Sequence, residues 1–113
     1  MGKYTDKLEE IKRLIGDLQQ EAPEAMKAFH EFMGAVEKPG AMDSKSKELV
    51  NVGLAVAAQC EWCIALHVKG ALDAGATRAE IIDAGMQAVL MHGGPALMYM
   101  TPLTQSLDEF GAK

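Results

Sequence analysis

The chain has 113 residues, 49% of them apolar and 24% charged, enough for one domain to build a core without staples. Against 16 acidic residues there are 11 basic ones, and the net charge of −5 excludes a general nucleic-acid binder, which needs a basic face to displace counterions. Two cysteines exclude a disulfide scaffold, and a bridge between Cys60 and Cys63 would close too small a loop to stabilise the fold much.

Leu8, Ile11, Leu14, Ile15 and Leu18 recur at helical spacing among charges and predict an amphipathic helix over roughly residues 6–20. Pro23 suits the first turn of a second helix, striped by Met26, Phe29, Phe32, Met33 and Val36. Glu37-Lys38-Pro39-Gly40 ends it. Asp43 or Ser44 can cap a third helix that runs to about Ala58. After Glu48 that helix is apolar on nearly every side, the pattern of a buried helix.

Gln59-Cys60 is the junction into a fourth helix ending near Gly75. Thr77-Arg78-Ala79-Glu80 reads as a capping box opening a fifth, which Gly93-Gly94 breaks. Pro95 starts a sixth, and Pro102 should kink or interrupt it. The expectation is an all-α, single-domain bundle of about six helices over residues 1–113. The front pair of helices is charged and solvated, and an apolar body carries the chemistry.

Two tracts lack charge, Leu49 to Cys60 and Ala84 to Leu107. The first is too short to cross a bilayer, and the second is broken by His92, Gly93, Gly94, Pro95 and Pro102. No apolar signal core follows the N-terminus, and Asp6 stands where a Met1-Gly2 acylation signal needs Ser or Thr. No membrane partner and a cytoplasmic location are expected.

The informative segment is Cys60-Glu61-Trp62-Cys63-Ile64-Ala65-Leu66-His67. On a helix Cys60, Cys63 and His67 fall within an arc of roughly 60°. His67 lies four residues after Cys63, within reach of its sulfur. A helix N-terminus favours a thiolate, a histidine can take the thiol proton, and a second thiol can resolve an oxidised first one. Thiol redox chemistry competes with an incidental C-x-x-C and with zinc ligation by Cys60, Cys63 and His67. For zinc, no fourth ligand stands at recognisable spacing. In an antiparallel hairpin turning near residue 59, the order along the pair is Cys63, His67, Glu48. Glu48 is then either a carboxylate that orients the imidazole or a first-turn residue favoured by the helix dipole.

Lys47-Glu48-Leu49, Cys60-x-x-Cys63-x-x-x-His67 and Ala74-Gly75-Ala76-Thr77 with Glu80-Ile81 resemble the carboxymuconolactone decarboxylase superfamily in its alkylhydroperoxidase D-like branch. The resemblance covers roughly residues 25–108. It implies an all-α fold, assembly into homo-trimers or homo-hexamers, and no metal or organic cofactor. It implies that Cys63 attacks a peroxide or disulfide, that Cys60 resolves, and that His67 and Glu48 relay the proton. A thiol protein or dithiol would re-reduce the pair. The best-known peroxidase members carry a second histidine where this chain has Trp62. That removes one relay member from peroxide reduction and leaves dithiol–disulfide exchange intact. An alternative within the superfamily is a cofactor-free lyase of the decarboxylase type using His67 and Glu48, although that branch does not depend on a cysteine pair.

Other residues make weaker claims. His92 is read as a loop histidine rather than a pocket residue, and His30 as a surface residue. Met86, Met91, Met98 and Met100 are read as adaptable core or subunit packing rather than a cofactor box. Trp62 and Leu66, side by side, suggest cover by another subunit.

Overall fold

The computed structural model describes residues 2–113; Met1 of the discounted acylation signal lies outside them. The described residues form helices only: α1 (Lys3–Glu21), α2 (Pro23–Glu37), α3 (Ser44–Ala57), α4 (Glu61–Asp73), α5 (Arg78–His92), α6 (Gly94–Met98) and α7 (Met100–Glu109). The all-α expectation holds. The predicted sixth helix is divided at Tyr99, three residues before Pro102, which is buried in the first turn of α7. There its missing N–H leaves no intrahelical bond unmade.

Local chemistry sets the helix starts. Pro23 occupies the first turn of α2, and the Asp43 carboxylate accepts from Ser46 N–H at 2.8 Å to cap α3. Thr77 and Glu80 form the reciprocal capping box of α5, with bonds of 3.1 and 2.9 Å.

α3 packs most extensively on α4 and α5, while α4 also meets α7 and α1. Val52, Val56, Ile64, Val68, Ile81, Leu103 and Leu107 are fully buried between them. Each such side chain contributes about 1.5–3 kcal/mol. Gly53 lets α5 approach closely: a Cβ there would stand 3.1 Å from the Ala84 carbonyl oxygen.

α1 is tied down at its start. Tyr4 is buried and its hydroxyl donates to Gln105 at 2.6 Å, while the Glu109 carboxylate accepts from the Tyr4 and Thr5 N–H groups. α2 buries no residue, and Phe29, Phe32 and Val36 lie open. Lys47 Nζ fixes its end by donating to the carbonyls of Val36 and Lys38 at 2.7 and 2.6 Å.

One expectation needs correction. α3 is not buried all round: Val52, Ala55 and Val56 face the core, but Val50 and Leu54 stand exposed. Its second apolar side faces the cavity walled by α2 and the groove beside α5, where the described residues leave Val50 and Leu54 exposed. Of the four clustered methionines, Met100 alone joins the core, and Met86, Met91 and Met98 are exposed. No helix among the described residues is long and apolar enough to cross a membrane.

Candidate functional site

The α3–α4 hairpin builds the site. Gln59 turns the chain with a φ of 56°, and Cys60, in extended conformation, becomes the N-cap of α4. Cys60 Sγ accepts from the Cys63 N–H at 3.2 Å. A negative charge that develops on this sulfur therefore meets an unpaired N–H and the positive end of the helix dipole. Cys60 and Cys63 are joined by a disulfide, with Cα atoms 5.2 Å apart, and both residues are partly exposed.

One turn beyond Cys63, His67 Nδ1 lies 3.0 Å from Glu48 Oε1, and the two side chains are about 20% and 19% exposed. A carboxylate only accepts, so Nδ1 carries the proton. The neutral imidazole then keeps a bare lone pair on Nε2, the form a general base needs. Burial works to raise the Glu48 pKa, but hydrogen bonds from His67 and Asn51 and the His67 charge outweigh it and hold it below its ordinary 4.5. The structure thus brings Glu48 to His67 as the hairpin register predicts, with both cysteines at the start of the same helix.

Two residues near the relay carry no motif. Asn51 Nδ2 donates to the same Glu48 oxygen at 2.7 Å. Gly70, three residues after His67, leaves room for the carboxylate: an ideal Cβ there would overlap Glu48 Oε2 and stand 2.8 Å from its Cδ. A glycine inside an otherwise regular helix is the signal that could have marked this approach.

His67 and Asn51 also line a cavity of about 500 Å³ whose walls are Phe29, Phe32, Met33 and Val36 of α2 with Val50 and Leu54 of α3. Glu37 and Lys47 share that lining, and a few polar groups in a mainly apolar cavity suit an organic ligand. On the other side of the hairpin, Trp62 turns away toward α1. Its indole N–H donates to Glu10 at 2.8 Å, and Lys7 Nζ stands 4.1 Å from its ring centroid. The neighbour at Trp62 is therefore this chain's own first helix, although the ring remains half exposed.

His92 and His30 do not join the site. His92 is not the loop residue expected: it ends α5 and lines a separate apolar groove between α3 and α5, whereas His30 Nδ1 bonds the Met26 carbonyl on the exposed face of α2. No group of three or more His, Cys, Asp or Glu side chains among the described residues is placed to hold a metal ion.

Residues 23–106 match the carboxymuconolactone decarboxylase family. A carboxymuconolactone decarboxylase family protein from Legionella pneumophila, solved in its apo form, is 37% identical, with a TM-score of 0.91 over 96% of both chains. A family member from Thermotoga maritima, for which a part in the antioxidative response has been suggested, is 25% identical with a TM-score of 0.82, over 96% of this chain and 90% of that one. An uncharacterised protein of Cupriavidus necator is 36% identical over 106 residues, 94% of each chain.

Proposed function

The chain belongs to the carboxymuconolactone decarboxylase family, and from that membership we propose that it is a thiol-dependent oxidoreductase acting on peroxides or disulfides through Cys60 and Cys63. The observation that carries this reading is the Cys60–Cys63 disulfide at the N-terminus of α4, one turn from a His67–Glu48 pair. A bridge across so short a loop adds little stability, so its value is chemical.

In the reduced enzyme His67 Nε2 takes the Cys63 proton. The Cys63 thiolate attacks the distal oxygen of a hydroperoxide, the O–O bond breaks, and the alcohol leaves with the proton that His67 returns. Cys63 is now a sulfenic acid. The Cys60 thiolate, favoured by its capping position, attacks that sulfur, closes the disulfide and releases water once a proton is supplied. A dithiol or thiol protein attacks Cys63, Cys60 leaves as the helix-stabilised thiolate, and the donor ends as a disulfide. With a disulfide substrate the first attack gives a mixed disulfide instead, and Cys60 resolves it. Glu48 keeps the imidazole oriented and stabilises its protonated form. A homo-trimer or homo-hexamer, covering the open apolar faces of α2, α3 and α5, is part of the same proposal.

Steady-state reduction of an organic hydroperoxide or a model disulfide by a dithiol tests the assignment. Cys63→Ser should abolish turnover. Cys60→Ser should accumulate a sulfenic acid or mixed disulfide on Cys63. Equal activity in both variants would overturn the roles, and a double Cys→Ser protein that still transforms a lactone acid would favour the lyase chemistry of His67 and Glu48.

A further inference from the structure

Asn51 belongs to none of the motif positions, yet it touches the relay. It sits one helical turn after Glu48 on α3, on the same face. Its amide nitrogen lies 2.7 Å from Glu48 Oε1, the oxygen that also receives His67 Nδ1 at 3.0 Å. Glu48 Oε2 lies against the Gly70 position of α4. The carboxylate is thus fixed from three sides, by a neutral donor on its own helix, by the imidazole, and by a helix backbone with no side chain in the way.

We propose that Asn51 is a positioning residue, holding the Glu48 carboxylate in the orientation that fixes His67 as its Nδ1–H tautomer. A glutamate has three rotatable side-chain bonds. With His67 as sole partner it would swing about one hydrogen bond and sample positions that leave Nδ1 free. The imidazole would then divide between two tautomers, and in one of them Nε2 carries a proton and accepts none. The donor is also neutral. An arginine or lysine at this place would neutralise the carboxylate and weaken its hold on a protonated His67, whereas an amide orients it and leaves the charge for the imidazole.

The charged side chains sharing the small cavity behind Glu48 do not replace Asn51. The carboxylates of Glu37 and Asp73 offer acceptors, and the ammonium of Lys47 is committed to the Val36 and Lys38 carbonyls. Among the described residues, Asn51 and His67 are the donors to the Glu48 side chain.

The role in catalysis rests on the oxidoreductase reading above, but the first readout does not. Long-range proton–nitrogen NMR of the ¹⁵N-labelled full chain reports the His67 tautomer at neutral pH. The wild type should show Nδ1–H, and Asn51→Leu and Asn51→Asp should show a mixture, as should Glu48→Gln. In dithiol-driven hydroperoxide reduction both Asn51 variants should lose about tenfold in kcat, with KM changed by less than about twofold. Asn51→Asp keeps the size of the side chain, so it decides the matter if Asn51→Leu fails to fold. Folded Asn51 variants with a wild-type tautomer and wild-type kcat would overturn the proposal. If Glu48→Gln alone then impairs turnover, the oxidoreductase reading stands without Asn51. If the wild type shows no thiol turnover at all, that reading fails and the tautomer alone decides for or against Asn51.

Discussion

Replacing Gly70 by alanine separates the stability of α4 from the working of the relay. The added methyl would occupy the space of Glu48 Oε2 and come to 2.8 Å from Cδ, so the carboxylate has to leave. It is the tip of a flexible side chain, and α4 can keep its path while Glu48 swings aside. The helix gains about 0.5–1 kcal/mol from losing an interior glycine. Against this, the carboxylate gives up its bonds to Asn51 and His67, each of a kind worth roughly 1.5–3 kcal/mol when one partner is charged. Water recovers part of that loss, and the net cost should be about 1–2 kcal/mol at neutral pH. Turnover should suffer more, by roughly a hundredfold, the lower end of what a positioned acid–base group supplies. Thermal denaturation and dithiol-driven hydroperoxide reduction, measured on the same preparation, check both numbers. A Gly70→Ala protein that is more stable than wild type and fully active would refute the reasoning, since helix propensity alone would then govern this position.

Further expectations follow from single contacts. Because Glu48 titrates lower in the folded chain than its ordinary 4.5, the unfolded state binds the proton first. Its contribution to stability is present above that ordinary value and is lost as pH falls through the depressed folded value. Denaturant titrations of Glu48→Gln should therefore show a shallower fall in stability with acid than wild type, and identical slopes would contradict the depressed pKa. The buried Ser106 hydroxyl has no hydrogen-bond partner among the described residues, so Ser106→Ala should stabilise by about 1 kcal/mol and raise Tm by a few degrees. Leu90 and Met91 are 74% and 78% exposed, and Leu54 and Met98 are each 62% exposed. Light scattering after size exclusion should show an oligomer, which Met91→Lys loosens; a monodisperse wild-type monomer would count against a covered face.

Much of the fold was legible because local signals agreed with one another. Pro23, Asp43 and the Thr77–Glu80 box each satisfy or excuse backbone donors that a helix start leaves unpaired, and such signals need no tertiary context. The order along the α3–α4 hairpin is also legible: Glu48 lies 11 residues before Gln59 and His67 8 after it, close enough along the pair for the two side chains to meet. What spacing does not carry is which face of an apolar helix is covered. The sequence of α3 is equally apolar at Val52 and Leu54, and only packing separates the buried one from the exposed one. Asn51 escaped notice because a polar residue in a helix looks like any solvated position until a partner three residues earlier is seen to need a donor. Trp62 and Leu66 are exposed, as their neighbouring places on the helix suggest, but spacing does not show that Glu10 and Lys7 of the first helix also engage Trp62. That contact joins residues 52 positions apart, a distance at which periodicity is silent.

The central claim is that Cys60 and Cys63 cycle between dithiol and disulfide in the work of the protein. Its most direct test is mass spectrometry with thiol counting on the fully reduced chain after one equivalent of an organic hydroperoxide. Both thiols should disappear together with two hydrogen masses, the bridge should map to Cys60–Cys63, and a dithiol should reduce that bridge and restore both thiols within the turnover time. Two thiols that remain free, or a slow drift to sulfinic acid with no bridge, would contradict it.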